Sequence, residues 1–174
     1  MFFSIPQNKF LVPLQARNYY VLYFMEKEAY KKRIIDACLA ALRETAANAK
    51  REMDDAQQQA NDYGQPKDRY DSFRTKLLRT RDMFAKQYSV ANENIKHLEE
   101  LNPNKLLDKV AYGSIVITDK QRLFIVLGLG KIMVDDTAFY VISLNVPIYG
   151  AMKDRKKGET FTFNGVTHKI QDIF

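Results

Sequence analysis

The sequence contains few of the residues that cross-link or catalyse. Cys38 is the single cysteine among 174 residues, so no internal disulfide can form, as is typical of the reducing cytoplasm. The two histidines, His97 and His168, lie far apart and in different predicted domains. The sequence has no zinc-ligand spacing, no Ser–His–Asp arrangement and no phosphate-binding glycine loop. It therefore does not predict an enzyme.

Long apolar runs are also missing. No stretch approaches the ~20 apolar residues that cross a bilayer, so no membrane partner is expected. Residues 1–24 are partly apolar, but Pro6 and Pro13 interrupt them and no signal-peptide core is present. Met25 then opens a strongly helical sequence. We expect Met25 to be the natural start and residues 1–24 to be an upstream extension, which mass spectrometry of the native protein would test. The alternative is a partly ordered apolar arm.

The sequence is rich in charge of both signs. It has 27 Lys+Arg against 21 Asp+Glu, a net charge of +6, with 46% hydrophobic and 28% charged residues. This balance is typical of a folded globular chain and not of a disordered one. The positive excess favours polyanionic partners, such as nucleic acid or an acidic patch on a large assembly.

Residues 25–102 have the pattern of two antiparallel helices. The first arm, residues 26–62, carries a heptad-like seam of Ile35, Cys38, Leu42, Thr45, Ala49, Met53, Ala56 and Ala60. The second arm, from about Asp68 to Leu101, has larger seam residues that complement the small ones: Tyr70, Phe73, Leu77, Thr80 or Arg81, Phe84, Tyr88, Ala91, Ile95 and Leu98. Gly64 and Pro66 break the helix between the arms. The pattern predicts a coiled-coil hairpin whose tip lies near residues 62–68.

Residues 103–174 change to a β pattern. A short helical connector is expected over residues 105–111, followed by strands near 114–118, 122–127, 131–134, 138–143, 159–163 and 166–173. Pro147 favours a short helix at residues 147–153, and Asn164-Gly165 is a strong hairpin signal. The fold class is therefore α+β, with an N-terminal coiled-coil hairpin followed by a small, mostly antiparallel sheet with one short helix.

This plan resembles the Gre family of bacterial transcript-cleavage factors. The residues that carry the resemblance are Pro147-Ile148, Ala151-Met152, Arg155-Lys156, Gly158-Glu159 and the closing strand to Ile173. A divergent Gre-like subgroup is closer still, because its second arm opens with a sequence similar to Lys67-Asp68-Arg69-Tyr70-Asp71. The resemblance implies an FKBP-like C-terminal domain and a hairpin that enters the secondary channel of RNA polymerase.

The resemblance also implies a role for acidic residues at the tip. In Gre factors two tip carboxylates help to hold a Mg²⁺ ion of the polymerase, since carboxylates supply oxygen ligands and charge. When the glycine of the family's tip pattern is placed on Gly64, Gln65 stands where the first acid belongs and Asp68 where the second does, while Asp62 is a candidate substitute. Cleavage activity is therefore expected to be weak or absent, and no intrinsic cofactor is expected.

The tip acids also have structural explanations. Asp68 is a candidate helix N-cap and Asp71 lies at the spacing of a capping box, which needs no function. Asp62 lies in the last turn of the first arm, where a negative charge is unfavourable. It is either a tip carboxylate or a solvated surface residue.

Two basic groups are further candidates. The start of the second arm contains Lys67, Arg69, Arg74, Lys76, Arg79 and Arg81, which would contact nascent RNA or simply pair with Glu52, Asp54 and Asp55 across the hairpin. The short C-terminal helix is flanked by docking candidates for the polymerase rim, namely Tyr149, Lys153, Arg155 and Lys156.

Two functions of different class remain open at this stage. The first is a monomeric cytoplasmic elongation factor that binds RNA polymerase and inserts its hairpin, with weak or absent cleavage stimulation. The second is a structural interaction module that uses the hairpin as a spacer or dimerisation arm. Cys38 is expected to be a buried packing residue, since it lies on the helical seam.

Overall fold

The fold is taken from a computed structural model that describes residues 14–65 and 72–174, with side chains from Met25 onward. Two long helices come first, α1 (Leu14–Tyr63) and α2 (Ser72–Glu99). The sheet that follows has strands β1 (Ile115–Thr118), β2 (Arg122–Ile125), β3 (Gly130–Val134), β4 (Thr137–Ile142), β5 (Thr160–Phe163) and β6 (Val166–Ile173). A short helix, α3 (Pro147–Met152), lies between β4 and β5. The predicted α+β class is confirmed.

Helix α1 is longer than the first arm that the sequence predicted. It begins at Leu14 and continues without a break through Met25, because no glycine or proline occurs between Leu14 and Tyr63. Its 50 residues span roughly 75 Å.

The natural start at Met25 and the domain boundary at residue 102 stay predictions. In the described part of the chain, no helix combines the length and apolar character that a membrane span requires.

The sheet has six strands in the order β3-β4-β2-β1-β6-β5. All neighbours pair antiparallel except β2 and β4, which are parallel. The β5–β6 hairpin turns at Asn164-Gly165, where both φ angles are positive (50° and 76°), and the β3–β4 hairpin turns at Asp135-Asp136 in the same way (47° and 59°). Such turns match the twist of paired strands. The parallel pair was not anticipated.

Both faces of the sheet are covered. On one face, Phe124, Val126 and Phe139 pack against the residues of α1 that lie nearest the sheet. On the other face, Leu123 and Ile125 pack with Met152 of α3 and with Phe161. Successive β2 residues point to opposite faces. This explains the continuous apolar run from Leu123 to Leu127, which begins inside β2.

The hairpin divides into two regions along its length. The hairpin base, residues 27–42 and 95–101, shares a core with the sheet through Ile34, Ile35, Cys38, Leu39, Leu42 and Leu98. The distal rod, residues 46–65 and 72–91, buries Ala46, Ala49, Ala56, Ala60 and Ala91, none of which belongs to either sheet core. Its α1 segment is roughly 30 Å long.

The seam that the sequence predicted on α1 was wrong at one position. Thr45 is exposed, and its hydroxyl donates a hydrogen bond to the carbonyl oxygen of Ala41, while Ala46 is buried in its place. A straight helix turns every 3.6 residues, so the buried stripe drifts from a strict heptad spacing by one position.

The predicted helix at residues 105–111 was also wrong. This connector is irregular and is bonded to the α3 region: the Val110 amide donates to the Arg155 carbonyl oxygen (2.9 Å) and the Asp154 amide donates to the Val110 carbonyl oxygen (3.0 Å). Lys109 and Lys156 form an antiparallel bridge beside them. Tertiary backbone pairing satisfies the polar groups that a local helix would have satisfied.

Candidate functional site

The described end of the distal rod is closed by an aromatic pair. The rings of Tyr63 and Phe73 lie 5.2 Å apart between centroids, which holds the last turn of α1 beside the first turn of α2. Gly64 follows with φ +84°, and its amide donates to the carbonyl oxygen of Asn61 at 3.0 Å. A glycine in this left-handed conformation is a common end for a helix. Phe73 remains 53% exposed, so the tip presents apolar as well as polar surface.

Asp62 lies in this last turn and is exposed. Its carboxylate oxygen Oδ1 accepts a hydrogen bond from the side-chain amide of Gln58, one turn earlier, at 2.8 Å. That amide is a neutral donor and leaves the carboxylate accessible to solvent. Gln65, also exposed, follows within three residues. Asp68 and Asp71 lie outside the described residues, together with Lys67 and Arg69, so their proposed roles stay predictions.

Three cross-hairpin contacts fix the register of the two helices. Near the base, Arg43 pairs with Glu99 at 2.8 Å. Farther out, Arg81 donates to the side-chain oxygen of Gln57 at 2.8 Å, and Tyr63 meets Phe73 at the end. The register places Asp62 at about the level of the basic start of α2.

In the described part of α2, no ion pair joins the basic residues from Lys76 to Arg81 to the acids that the sequence suggested. Asp54 instead accepts a hydrogen bond from Lys50 of its own helix at 2.7 Å. The guanidinium of Arg81 contacts Asp82 and Gln57. Lys76 and Arg79 are exposed. Lys76 and Arg79 therefore form an exposed basic surface near the tip that a polyanion can contact. An ordinary solvated helix face has the same appearance.

The docking candidates differ in how accessible they are. Tyr149, on α3, is half-buried against the core that contains Met152. The Nε of Arg155 donates to the carbonyl oxygen of Ala151 at 3.1 Å, which turns this side chain back onto α3. Lys153 and Lys156 are exposed. The accessible basic surface is thus formed by Lys153 and Lys156 rather than by all four residues.

The turn after α3 is held in place by its neighbours. Asp154 has φ +60° and pairs with Lys109 of the connector at 3.0 Å. The hydrogen bond from Lys109 lowers the pKa of the Asp154 carboxyl. This fixes the backbone on which Lys153 and Lys156 are carried. Because α3 packs on the sheet face opposite the hairpin base, the basic turn and the rod emerge from different sides of the sheet.

Cys38 is confirmed as a packing residue. It is fully buried in the core that joins the hairpin base to the sheet, and burial raises the pKa of its thiol to about 12. A thiol with such a pKa is a poor nucleophile at neutral pH. His97 is exposed on α2, while His168 is buried on β6 and stacks on Phe161. Within residues 14–65 and 72–174, no cluster of three metal-ligating side chains occurs.

Sequence reasoning missed two charged residues that join the hairpin base to the rest of the chain, Asp172 of β6 and Lys31 of α1. Asp172 accepts hydrogen bonds from Lys27 (2.6 Å) and Lys157 (3.0 Å), so β6 is tied both to α1 and to the loop after α3. Burial acts to raise the pKa of Asp172, but the two lysines outweigh it and the pKa is lowered.

Lys31 is the second residue that was missed. It is only 2% exposed. The signal was present in the sequence, since Lys31 precedes Ile34, Ile35 and Cys38 at helical spacings of three, four and seven.

No family model matches the chain, and no curated protein matches it in sequence. Among solved structures, the chain is similar to the crystal structure of GreA factor homolog 1 (Gfh1) protein of Thermus thermophilus. The two are 12% identical with a TM-score of 0.31, over 78% of this chain and 94% of that chain. A likeness of this strength establishes no activity.

Proposed function

We propose that this protein is an accessory factor of RNA polymerase that binds through its β domain and inserts the distal rod into the secondary channel. The observation that carries the proposal is the rod itself. It extends roughly 30 Å beyond the last α1 residue of the sheet core, is two helices wide, and ends in exposed polar groups. The resemblance of the residues around α3 to the Gre family is the reason for proposing RNA polymerase as the partner. A cytoplasmic location follows from that partner.

The tip would act on the active site of the polymerase and not as a separate enzyme. Asp62 is exposed at the end of the rod, and the sequence places Asp68 in the adjoining segment. Carboxylates in this position would share the Mg²⁺ of the polymerase, since Mg²⁺ prefers oxygen ligands and binds through one or two carboxylates. Because Gln65 is neutral, we expect weak cleavage stimulation, or occupation of the channel without cleavage.

Binding is the first step to test. Lys153→Glu with Lys156→Glu reverses the accessible basic surface beside α3 without touching a core residue. We expect the wild-type chain to co-purify with native RNA polymerase at low salt and the double variant to lose binding at least ~10-fold. Lys120→Glu, in the exposed turn between β1 and β2, is the matched control. No binding of the wild-type chain at low salt would reject the proposal.

The tip is tested separately in stalled elongation complexes. Asp62→Ala combined with Asp68→Ala should remove any cleavage stimulation while polymerase binding is retained. Asp55→Ala, an exposed acid farther from the tip on α1, should leave cleavage unchanged. If the double tip variant cleaves as well as the wild type, the assignment of the tip carboxylates is wrong. If neither protein stimulates cleavage, channel occupation is the remaining mode.

An exposed groove favours the second candidate, dimerisation through the hairpin. Met83 and Val90 of α2 are 49% and 46% exposed and border a cavity of about 540 Å³ with Leu42 and Leu129. A second copy of the chain would cover this apolar surface. Light scattering after size exclusion decides: a stable dimer that Met83→Glu dissociates supports dimerisation, whereas a monomer supports the polymerase factor.

A further inference from the structure

Lys31 is a buried cation at the junction between the hairpin base and the connector. It lies on the face of α1 that is turned towards the protein interior, and 2% of it is exposed. Its ammonium group donates one hydrogen bond, to the carbonyl oxygen of Lys105 at 2.8 Å. An ammonium has three N–H donors. Among the residues that the structure describes, the other two have no acceptor.

The position of the Lys105 carbonyl is set by a tight turn. The Lys105 amide donates to the Asn102 carbonyl oxygen at 3.2 Å, and the Asn104 amide donates to the Asn102 side-chain oxygen at 2.9 Å. Asn followed by Pro103 is a favourable start for such a turn. The contact between Lys31 and Lys105 therefore rests on a locally stabilised loop and on a rigid helix.

A cavity of about 320 Å³ adjoins this contact. Its buried lining includes Lys31 and Gly113, and its exposed rim includes Lys105, Tyr112, Asn102 and Glu100. The volume lies at the lower end of the range of small-molecule sites. The exposed rim residues open the cavity to solvent.

The charges around the cavity favour an anion. Burial, together with the smaller effect of the charge of Lys105, lowers the pKa of Lys31 to about 8. Two lysines face the cavity and one acid, Glu100, stands on its exposed rim. A buried ammonium without a counter-charge is costly, and a ligand that brings negative oxygen atoms offsets that cost.

We propose that this cavity is a binding site for a small oxyanion, held by the ammonium of Lys31 with Lys105 and the hydroxyl of Tyr112 at the rim. The shared chemistry is a phosphate or carboxylate group, whose oxygens accept from the two unused donors of Lys31. This site is independent of the proposed role at RNA polymerase. A bound anion would link α1 to the connector more strongly than the single backbone contact does.

The test is an NMR titration of the full-length wild-type chain with lysine carbons and nitrogens labelled. Inorganic phosphate and acetate are added separately, and chloride is added at matched ionic strength. We expect a saturable shift of the Lys31 signals with a dissociation constant of about 1 mM or lower, and a rise of the Lys31 pKa towards its ordinary value of about 10.4. A response to phosphate alone, to acetate alone or to both supports the site and identifies the group.

Two variants localise the response. Lys31→Met removes the ammonium and keeps an unbranched side chain, so it should abolish the stabilisation that phosphate or acetate gives against thermal unfolding. Lys32→Met, the exposed neighbour on the same helix, should retain it. If Lys31→Met does not fold, the wild-type titration decides alone. No saturable shift at Lys31, or an equal shift with chloride, overturns the proposal.

Discussion

The hairpin base and the distal rod are parts of the same two helices, yet they are held together in different ways. At the base, large residues such as Ile34 and Leu42 pack against Phe124 and Phe139 of the sheet. In the distal rod, the buried α1 positions are all alanine, and large α2 residues such as Leu77 and Phe84 are only half-buried. The same secondary structure is therefore supported by a third layer at one end only.

We therefore expect the hairpin base to supply most of the stability and the distal rod to supply the length. Burying a large apolar side chain contributes about 1.5–3 kcal/mol, while an alanine contributes much less. The base should accordingly open only with the whole molecule, and the distal rod should open locally at a lower free energy. A narrow rod with small seam residues gains slenderness at the cost of local stability. The predictions that follow test this contrast.

The largest effect is expected in the core that the hairpin base shares with the sheet. Phe139 is fully buried and its ring meets Tyr30 edge to face at 5.8 Å, so Phe139→Ala should lower the free energy of unfolding by about 3–5 kcal/mol. Phe84→Ala, at a half-buried position of the distal rod, should cost about 1 kcal/mol. Urea denaturation of both variants provides the comparison. Equal losses would show that the rod is as tightly held as the base.

The second effect concerns how the stability of the hairpin base depends on pH. The pKa of Lys31 in the folded protein is about 8, below the ~10.4 of an unfolded chain. The folded state therefore releases this proton first, and stability rises as pH increases between these two values. From pH 7 to pH 10, the wild-type chain should gain on the order of 2 kcal/mol relative to Lys31→Met.

The difference in the free energy of unfolding between the wild type and Lys31→Met isolates the contribution of Lys31. Cys38, whose pKa is raised to about 12, has the opposite trend above its unfolded value, but it is present in both. Denaturation curves at several pH values give the comparison. A constant gap between wild type and Lys31→Met would contradict the prediction.

The third effect is confined to the distal rod. Ala56→Leu forces a larger side chain into a close helix contact and should cost about 1–3 kcal/mol. Hydrogen exchange should quicken in residues 46–65 and 72–91 and remain unchanged in the base. Gln59→Leu adds a side chain of the same kind on the exposed face and serves as the control. Loss of protection in the sheet would mean that the two regions unfold together.

The smallest effect is expected at the end of α1. Gly64 has φ +84°, so Gly64→Ala should destabilise by about 1–2 kcal/mol at most. The amides near Asn61 should exchange faster. Gly150 lies inside α3 with open space around it, and Gly150→Ala should be neutral or stabilising. A neutral Gly64→Ala would indicate that the tip relaxes freely.

Much of the β domain could be predicted because its signals are local. Turn residues such as Asn164-Gly165 and the proline that opens α3 mark element ends directly in the chain. The connector after α2 was predicted wrongly because Val110 obtains its backbone partners from Asp154 and Arg155, far along the sequence. No local pattern contains that information.

The candidate site was predictable only in part. The position of Asp62 at the end of the rod followed from the break at Gly64, and the structure agrees with that position. The accessibility of the basic turn did not follow, because the folding back of Arg155 onto Ala151 depends on three-dimensional packing. Lys31 was missed because a lysine on an apolar stripe is usually assigned to the surface.

Helix α1 runs through both regions without interruption, so the distal rod moves together with the hairpin base. A rotation of the sheet about the hairpin base is not absorbed by a joint, because no glycine or proline lies between the two regions. A tilt of about 10° at the base would move the end of a rod of roughly 30 Å by roughly 5 Å. Whatever the β domain binds therefore sets where Asp62 points.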